Sequence, residues 1–251
     1  MPDDILAFAG MQADQQQDSA NFQGTSGTLS AINKDGSTST CAVDRNSLTI
    51  GVNSLEVDPV NGQVVAERYG GQLDLGSNIR FLVITFAWLF AAQFNGNVTI
   101  CEFGHDVSRR DRRITFATDE NIYIQDKEGD PIIGGSPSTL AVNTVYPMYW
   151  YINLLGTTRD ILWTWISGAW VKQIDASGHG VFDTTPTSRR VTFGSDTGKT
   201  LPTTGGPMYY GGMSIIENPS VGGIGSIATK FLPANGNGAD TASGTTMPLV
   251  T

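Results

Sequence analysis

The sequence predicts an all-β protein, an antiparallel sandwich with extended amino- and carboxy-terminal arms. Two observations carry this. Residues 113–174 read as a succession of short runs of β-branched and aromatic residues (RRITFAT, NIYIQD, YWYINLLG, TTRD, ILWTWISG, AWVKQID), each bounded by Gly, Asp, Asn or Pro. The 251 residues include 30 Gly and 11 Pro, enough for many turns, and no helical period competes. An all-β chain of this length can form one domain, here expected over residues 41–230.

Residues 1–40 are rich in Gln, Ser, Thr and Gly, with one apolar stretch at Ile5–Phe8. They form the expected amino-terminal arm. A first strand pair is expected at 47–52 and 63–69, around the turn residues Asp58, Pro59, Asn61 and Gly62. A long central strand follows at Ile79–Phe90, and after the Asn95–Gly96 turn another at Asn97–Phe103. Beyond the 113–174 block, Arg190–Phe193 and Met208–Ile216 supply the closing strands, joined by the loop SDTGKTLPTTGGP. Residues 231–251 form a low-complexity tail. Neither arm can bury a core of its own, so both are expected to order against neighbouring subunits, in a homo-oligomer or a larger assembly.

The net charge of −9 argues against a nucleic-acid partner, which would need clustered cations. Phe81–Phe94 is the longest apolar run and is too short to span a bilayer, so it is expected as buried strand and no membrane partner is expected. The first residues lack the pattern of a secretory signal, which suggests synthesis in a cytoplasm. Cys41 and Cys101 have no Cys or His neighbour at metal-ligand spacing; free thiols are the simpler reading and a disulfide the alternative.

The segments IRFLVITFAWLF, NVTICEFG, RRITFATDENIYIQDKEGDPI, PMYWYINLLGTTRDILWTWISGAWVKQID and MYYGGMSII, in that order, resemble the concanavalin A-like, laminin G-like jelly rolls over about residues 75–217. Trp150, Ile152 and Leu154 match a strand motif of that family, and Trp163–Trp170 resembles its hairpin, turning at Ser167 and Gly168. The resemblance implies a jelly-roll sandwich. It does not single out an activity, because the fold hosts lectins, glycan hydrolases, lyases and structural modules. In composition the chain looks like a virion protein of a tailed bacteriophage, a head-decoration protein or a tail or fibre component.

Hydrolases of the family carry paired carboxylates on one strand. Glu56 and Asp58 lie beside a Pro turn here, and Asp119 and Glu120 look like a hairpin tip, so these acids read as solvated. Lyases of similar shape use Arg, His, Gln and Tyr on a concave sheet. His105, Arg109, Arg113, Tyr123 and Gln125 could share such a face, although His105 and His179 read more simply as loop residues. Asp126, Glu128 and Asp130 lack the spacing of a calcium loop. No catalytic, metal or cofactor site is therefore expected.

SRRDRR is the one concentrated charge feature. Arg109, Arg110, Arg112 and Arg113 are candidates for a subunit interface or an anionic ligand, against the alternative of a solvated loop. Trp163 and Trp165 share one sheet face. Core packing is the default for them and for Trp150 and Trp170; a ring pair on an exposed face would turn the reading to sugar stacking. Together these features predict a non-enzymatic structural protein of a phage virion that acts through subunit contacts. The alternative is a glycan-binding adhesin for host-surface polysaccharide, and after it a polysaccharide lyase or hydrolase.

Overall fold

In a computed structural model, the described residues are 4–9, 22–23, 29–32, 41–44, 54–57, 59, 67–75, 81–106, 109–125, 131–133, 140–153, 159–175, 190–199 and 202–217. The strands are β1 (Asp4–Ala9), β2 (Phe22–Gln23), β3 (Leu29–Ile32), β4 (Cys41–Asp44), β5 (Ser54–Val57), β6 (Glu67–Asp74), β7 (Phe81–Phe90) and β8 (Val98–Asp106). They continue as β9 (Arg109–Phe116), β10 (Ile122–Gln125), β11 (Pro131–Ile133), β12 (Tyr146–Asn153), β13 (Arg159–Ile166), β14 (Ala169–Asp175), β15 (Arg190–Lys199) and β16 (Met208–Glu217). Every pairing is antiparallel. A nine-stranded sheet runs β14-β13-β12-β7-β16-β1-β2, with β5 also on β16 and β4 on β5, and a seven-stranded sheet runs β11-β10-β9-β8-β15-β6-β3.

The two sheets pack face to face, as the strand patterning demands. Ile84, Phe86 and Trp88 of β7, Met148, Trp150 and Ile152 of β12, and Tyr210, Met213 and Ile215 of β16 share one core with Ile100, Cys101 and Phe103 of β8, Ile114 and Phe116 of β9, and Val191 and Phe193 of β15. Phe86 meets Phe193 edge-on at 5.7 Å between ring centroids, and Trp88 meets Phe116 at 5.5 Å. The Tyr210 hydroxyl donates to the Ile100 carbonyl at 2.7 Å, so the phenol is satisfied across the sandwich.

β7 shows no hydrophobic alternation because both its faces are buried: Leu82, Ile84 and Trp88 face the core, while Val83, Ala87 and Leu89 are covered on the other side. The apolar run that is too short for a bilayer is this central strand and its exit. No helix among the described residues is long and apolar enough to cross a membrane.

Several elements differ from expectation for physical reasons. Ile5–Phe8 runs within β1, antiparallel to β16, which gives its apolar residues a sheet to join. The expected pairing of 47–52 with 63–69 is not the one formed: 47–52 lies outside the described residues, while β5 pairs with β4 and β16 and β6 pairs with β15 and β3. β15 continues to Lys199, beyond the expected end at Phe193, because β6 goes on supplying ladder partners past a register shift between Ser195 and Lys199. The SRRDRR segment is mostly strand, since β9 begins at Arg109. The tail 231–251, His179, and Asp126, Glu128 and Asp130 lie outside the described residues.

Candidate functional site

Two outward faces carry the side chains singled out by sequence. The first is the edge of the nine-stranded sheet. Ser167 (φ 51°) and Gly168 (φ 86°) adopt the paired left-handed conformations of a two-residue type I′ turn and set the β13–β14 register. Trp165 therefore lies opposite Trp170, and Trp163 opposite Lys172. Trp163 also faces Tyr149 on β12, which in turn faces Thr85 on β7. Along this row burial falls from sheet centre to edge: Thr85 and Tyr149 are buried, Trp163 is half-buried and Lys172 is exposed.

Trp163, Trp165 and Trp170 thus stand on the outer face, while Leu162 and Thr164 take the core side. Trp165 and Trp170 pack edge-on at 5.5 Å, and the Lys172 ammonium lies 5.8 Å from the Trp163 ring centroid. The same ammonium donates to Asp175 Oδ2 at 2.9 Å. The expectation that the tryptophans of the 113–174 block sit mainly in the core holds for Trp150, and Trp88 is buried there too. It fails for the hairpin trio, because the two-residue turn and β13's alternation point their rings away from the seven-stranded sheet. Trp163 and Trp170 pack on the small apolar cluster of Val83, Tyr149, Tyr151 and Ile161, which supports them from beneath.

The second face is a polar row across the seven-stranded sheet. Gln125, Arg113, Glu102 and Thr192 are successive register partners on β10, β9, β8 and β15, and Tyr123 partners Thr115 beside them. Thr115 Oγ1 donates to Gln125 Oε1 at 2.8 Å, and Ser195 Oγ donates to Glu102 Oε1 at 3.0 Å. This brings together Arg113, Tyr123 and Gln125 of the lyase-like set; the side chains of His105 and Arg109 lie outside the described residues. Sequence reasoning missed Glu102, Thr192 and Ser195. The signal for Glu102 was the alternation through Cys101, Glu102 and Phe103, which puts it on the face opposite the core. The row is shielded, with Arg113 2% and Glu102 3% exposed. Tyr123 is half-buried, and its hydroxyl donates to Asp119 Oδ2 at 2.6 Å. That bond holds the Asp119 carboxyl below its ordinary range and pushes the Tyr123 phenol up.

The arginine cluster is not one surface patch. Arg112 and Arg113 are neighbours on a strand and so point to opposite faces. Arg112, 0% exposed, forms an ion pair with Asp160 of β13 inside the sandwich, which removes it from the candidate contact surface. Burial pushes the Asp160 carboxyl up, and the Arg112 guanidinium opposes that rise. Arg113 faces outward but is buried against Glu102's strand, and the side chains of Arg109 and Arg110 lie outside the described residues. Among the described residues no three His, Cys, Asp or Glu side chains gather as metal ligands. Cys101 is a free, buried thiol, and the side chain of Cys41 lies outside the described residues.

No protein-family model and no curated protein matches the chain. Its likeness is to solved β-sandwich structures. An endo-β-1,4-glucuronan lyase from Trichoderma reesei is similar over 73% of this chain and 89% of its own, with a TM-score of 0.52 and 12% identity. An alginate lyase solved with an alginate trisaccharide is similar over 84% and 98%, with a TM-score of 0.52 and 13% identity. Botulinum neurotoxin type C, described as entering cells through interaction with two ganglioside molecules, is similar over 91% of this chain and 51% of its own, with a TM-score of 0.53 and 12% identity. At such identities the likeness establishes the fold: an all-β, jelly-roll-like antiparallel sandwich of the kind found in glycan-active proteins.

These similarities overturn the expectation of a protein without catalytic activity. Lyases are built on this sandwich, so the lack of a paired-carboxylate strand does not exclude bond cleavage. None of the three structures is a virion component, and the bacteriophage role suggested by composition draws no support from them.

Proposed function

We propose that this protein binds polysaccharide through the outer edge of its nine-stranded sheet, with Trp163, Trp165 and Trp170 as stacking surfaces. The observation that carries the reading is that these three rings stand half-buried on the outside of the sandwich, Trp163 and Trp170 packed on the cluster of Tyr149 and Ile161 and Trp165 edge-on against Trp170, whereas Trp88 and Trp150 fill the core. Half-buried indoles braced from beneath keep a flat apolar face available at little cost in side-chain entropy. Trp163 and Trp165, two residues apart on one strand, are spaced by about 7 Å, which suits an extended chain lying along β13.

The folds of the glucuronan lyase, the alginate lyase and the ganglioside-dependent toxin support a glycan-directed role. The polar row is a weaker place for the ligand, because its arginine is almost wholly shielded and stands opposite Glu102. Affinity electrophoresis through gels containing different polysaccharides tests the reading. Retardation by at least one of them is expected, weakened about tenfold in Trp163→Ala and Trp165→Ala, a loss of the size expected for a buried anchor ring. Unretarded migration in every gel would overturn it. The same polysaccharides, incubated with the protein and followed for chain shortening, show whether cleavage accompanies binding.

A further inference from the structure

We infer that Asp175 is a specificity-determining residue that reserves the tryptophan face for uncharged polysaccharide. The inference rests on the glycan-binding reading above and names the ligand class. Among the described side chains of β12, β13 and β14, Lys172 and Asp175 are the charged ones on the outward face, because Asp160 points into the sandwich.

Lys172 is placed where a cation would read a sugar carboxylate. It stands opposite Trp163 in the ladder, its side chain is 44% exposed, and its ammonium lies over the Trp163 ring. That ammonium is already committed. Asp175 Oδ2 accepts from it at 2.9 Å, and the Asp175 side chain is itself only 26% exposed, which keeps the carboxylate close to the platform. The bulge between Leu162 and Trp163 makes this possible, since it brings Asp175, three residues beyond Lys172, onto the same outward face opposite Ile161.

Among the described side chains the platform therefore presents aromatic surface with no uncompensated positive charge. An acidic chain would have to displace Asp175 and leave a carboxylate beside its own. The protein as a whole carries −9, which opposes the approach of a polyanion at low ionic strength. A neutral chain meets neither penalty and can stack on the Trp165–Trp170 pair while Lys172 stays where it is.

The test runs the full chain through gels of a neutral β-glucan and of alginate at low and at raised salt. The wild-type protein is expected to be retarded by the neutral glucan at both salt levels and not by alginate. Asp175→Asn frees Lys172 and is expected to gain alginate retardation that disappears at raised salt; Asp175→Asn combined with Lys172→Ala is expected to lose that gain. Salt-sensitive alginate binding by the wild-type protein, or no gain in Asp175→Asn, would overturn this inference while leaving glycan binding intact. Migration unaffected by either polymer in every variant would overturn this inference, and unretarded migration across the wider set of polysaccharides would overturn the glycan-binding reading itself.

Discussion

Arg112 and Asp160 are 48 residues apart in sequence and meet inside the sandwich, one from each sheet, at a contact where both side chains are 0% exposed. A lone charge at this depth is costly, so removing one partner is far worse than removing both. Asp160→Asn is expected to lose about 3–5 kcal/mol of stability, read as a lowered urea midpoint with an unchanged slope. Arg112→Leu/Asp160→Leu should lose clearly less than Asp160→Asn. Equal losses in the two would show that the ion pair is not what holds this contact.

Trp150 and Trp165 separate packing from recognition. Trp150→Ala empties a fully buried volume at the sheet interface and is expected to destabilise by about 3–5 kcal/mol. Trp165→Ala removes a half-buried ring beside an exposed turn and should cost less than half as much, while weakening polysaccharide retardation. Calorimetry and affinity electrophoresis on the same two variants check the pair of expectations together.

The Tyr123–Asp119 hydrogen bond gives a pH signature. Its contribution through Asp119 is in place above the ordinary carboxylate range and is lost as pH falls through that group's depressed value. Its contribution through Tyr123 is in place below the ordinary phenol range and is lost as pH rises through the raised value. Asp119→Asn should therefore bring the Tyr123 titration down towards about 10, followed by NMR of labelled tyrosine. Both groups are close to solvent, so the change in stability should be small.

Cys101 is buried in the core, and burial there pushes its thiol well up. It is expected to resist a disulfide-exchange reagent in the native protein and to react promptly in denaturant. Rapid modification of Cys101 under native conditions, located by peptide mapping, would contradict its place between the sheets.

The strand succession was legible because buried strands alternate: Ile122 and Ile124 face the core with Tyr123 and Gln125 outward, as the pattern of NIYIQ implies. The class of fold followed from many such segments. Side-chain roles were less legible where one residue type serves two environments. SRRDRR reads in one dimension as a single basic cluster, a contact surface or a solvated loop, and only the sandwich shows that its Arg112 points inward to an acid on β13. The hairpin tryptophans pose the same problem in reverse, since a period of two assigns Trp163 and Trp165 to one face without saying which face is covered. Glu102 was hidden because a buried polar residue among Ile100, Cys101 and Phe103 carries no composition signal.

β16 lies between β7 and β1 in the nine-stranded sheet, so Ile216 pairs with Val83 on one side and Ile5 on the other. The middle of that sheet is therefore completed by residues that leave the ribosome more than a hundred positions after β7. Until then the most hydrophobic strand of the chain has an unpaired edge along Phe81–Phe90 during synthesis. A chain released before Met208 keeps that edge for good, and its fate is to seek another strand, its own neighbour's included, in place of the one it never received.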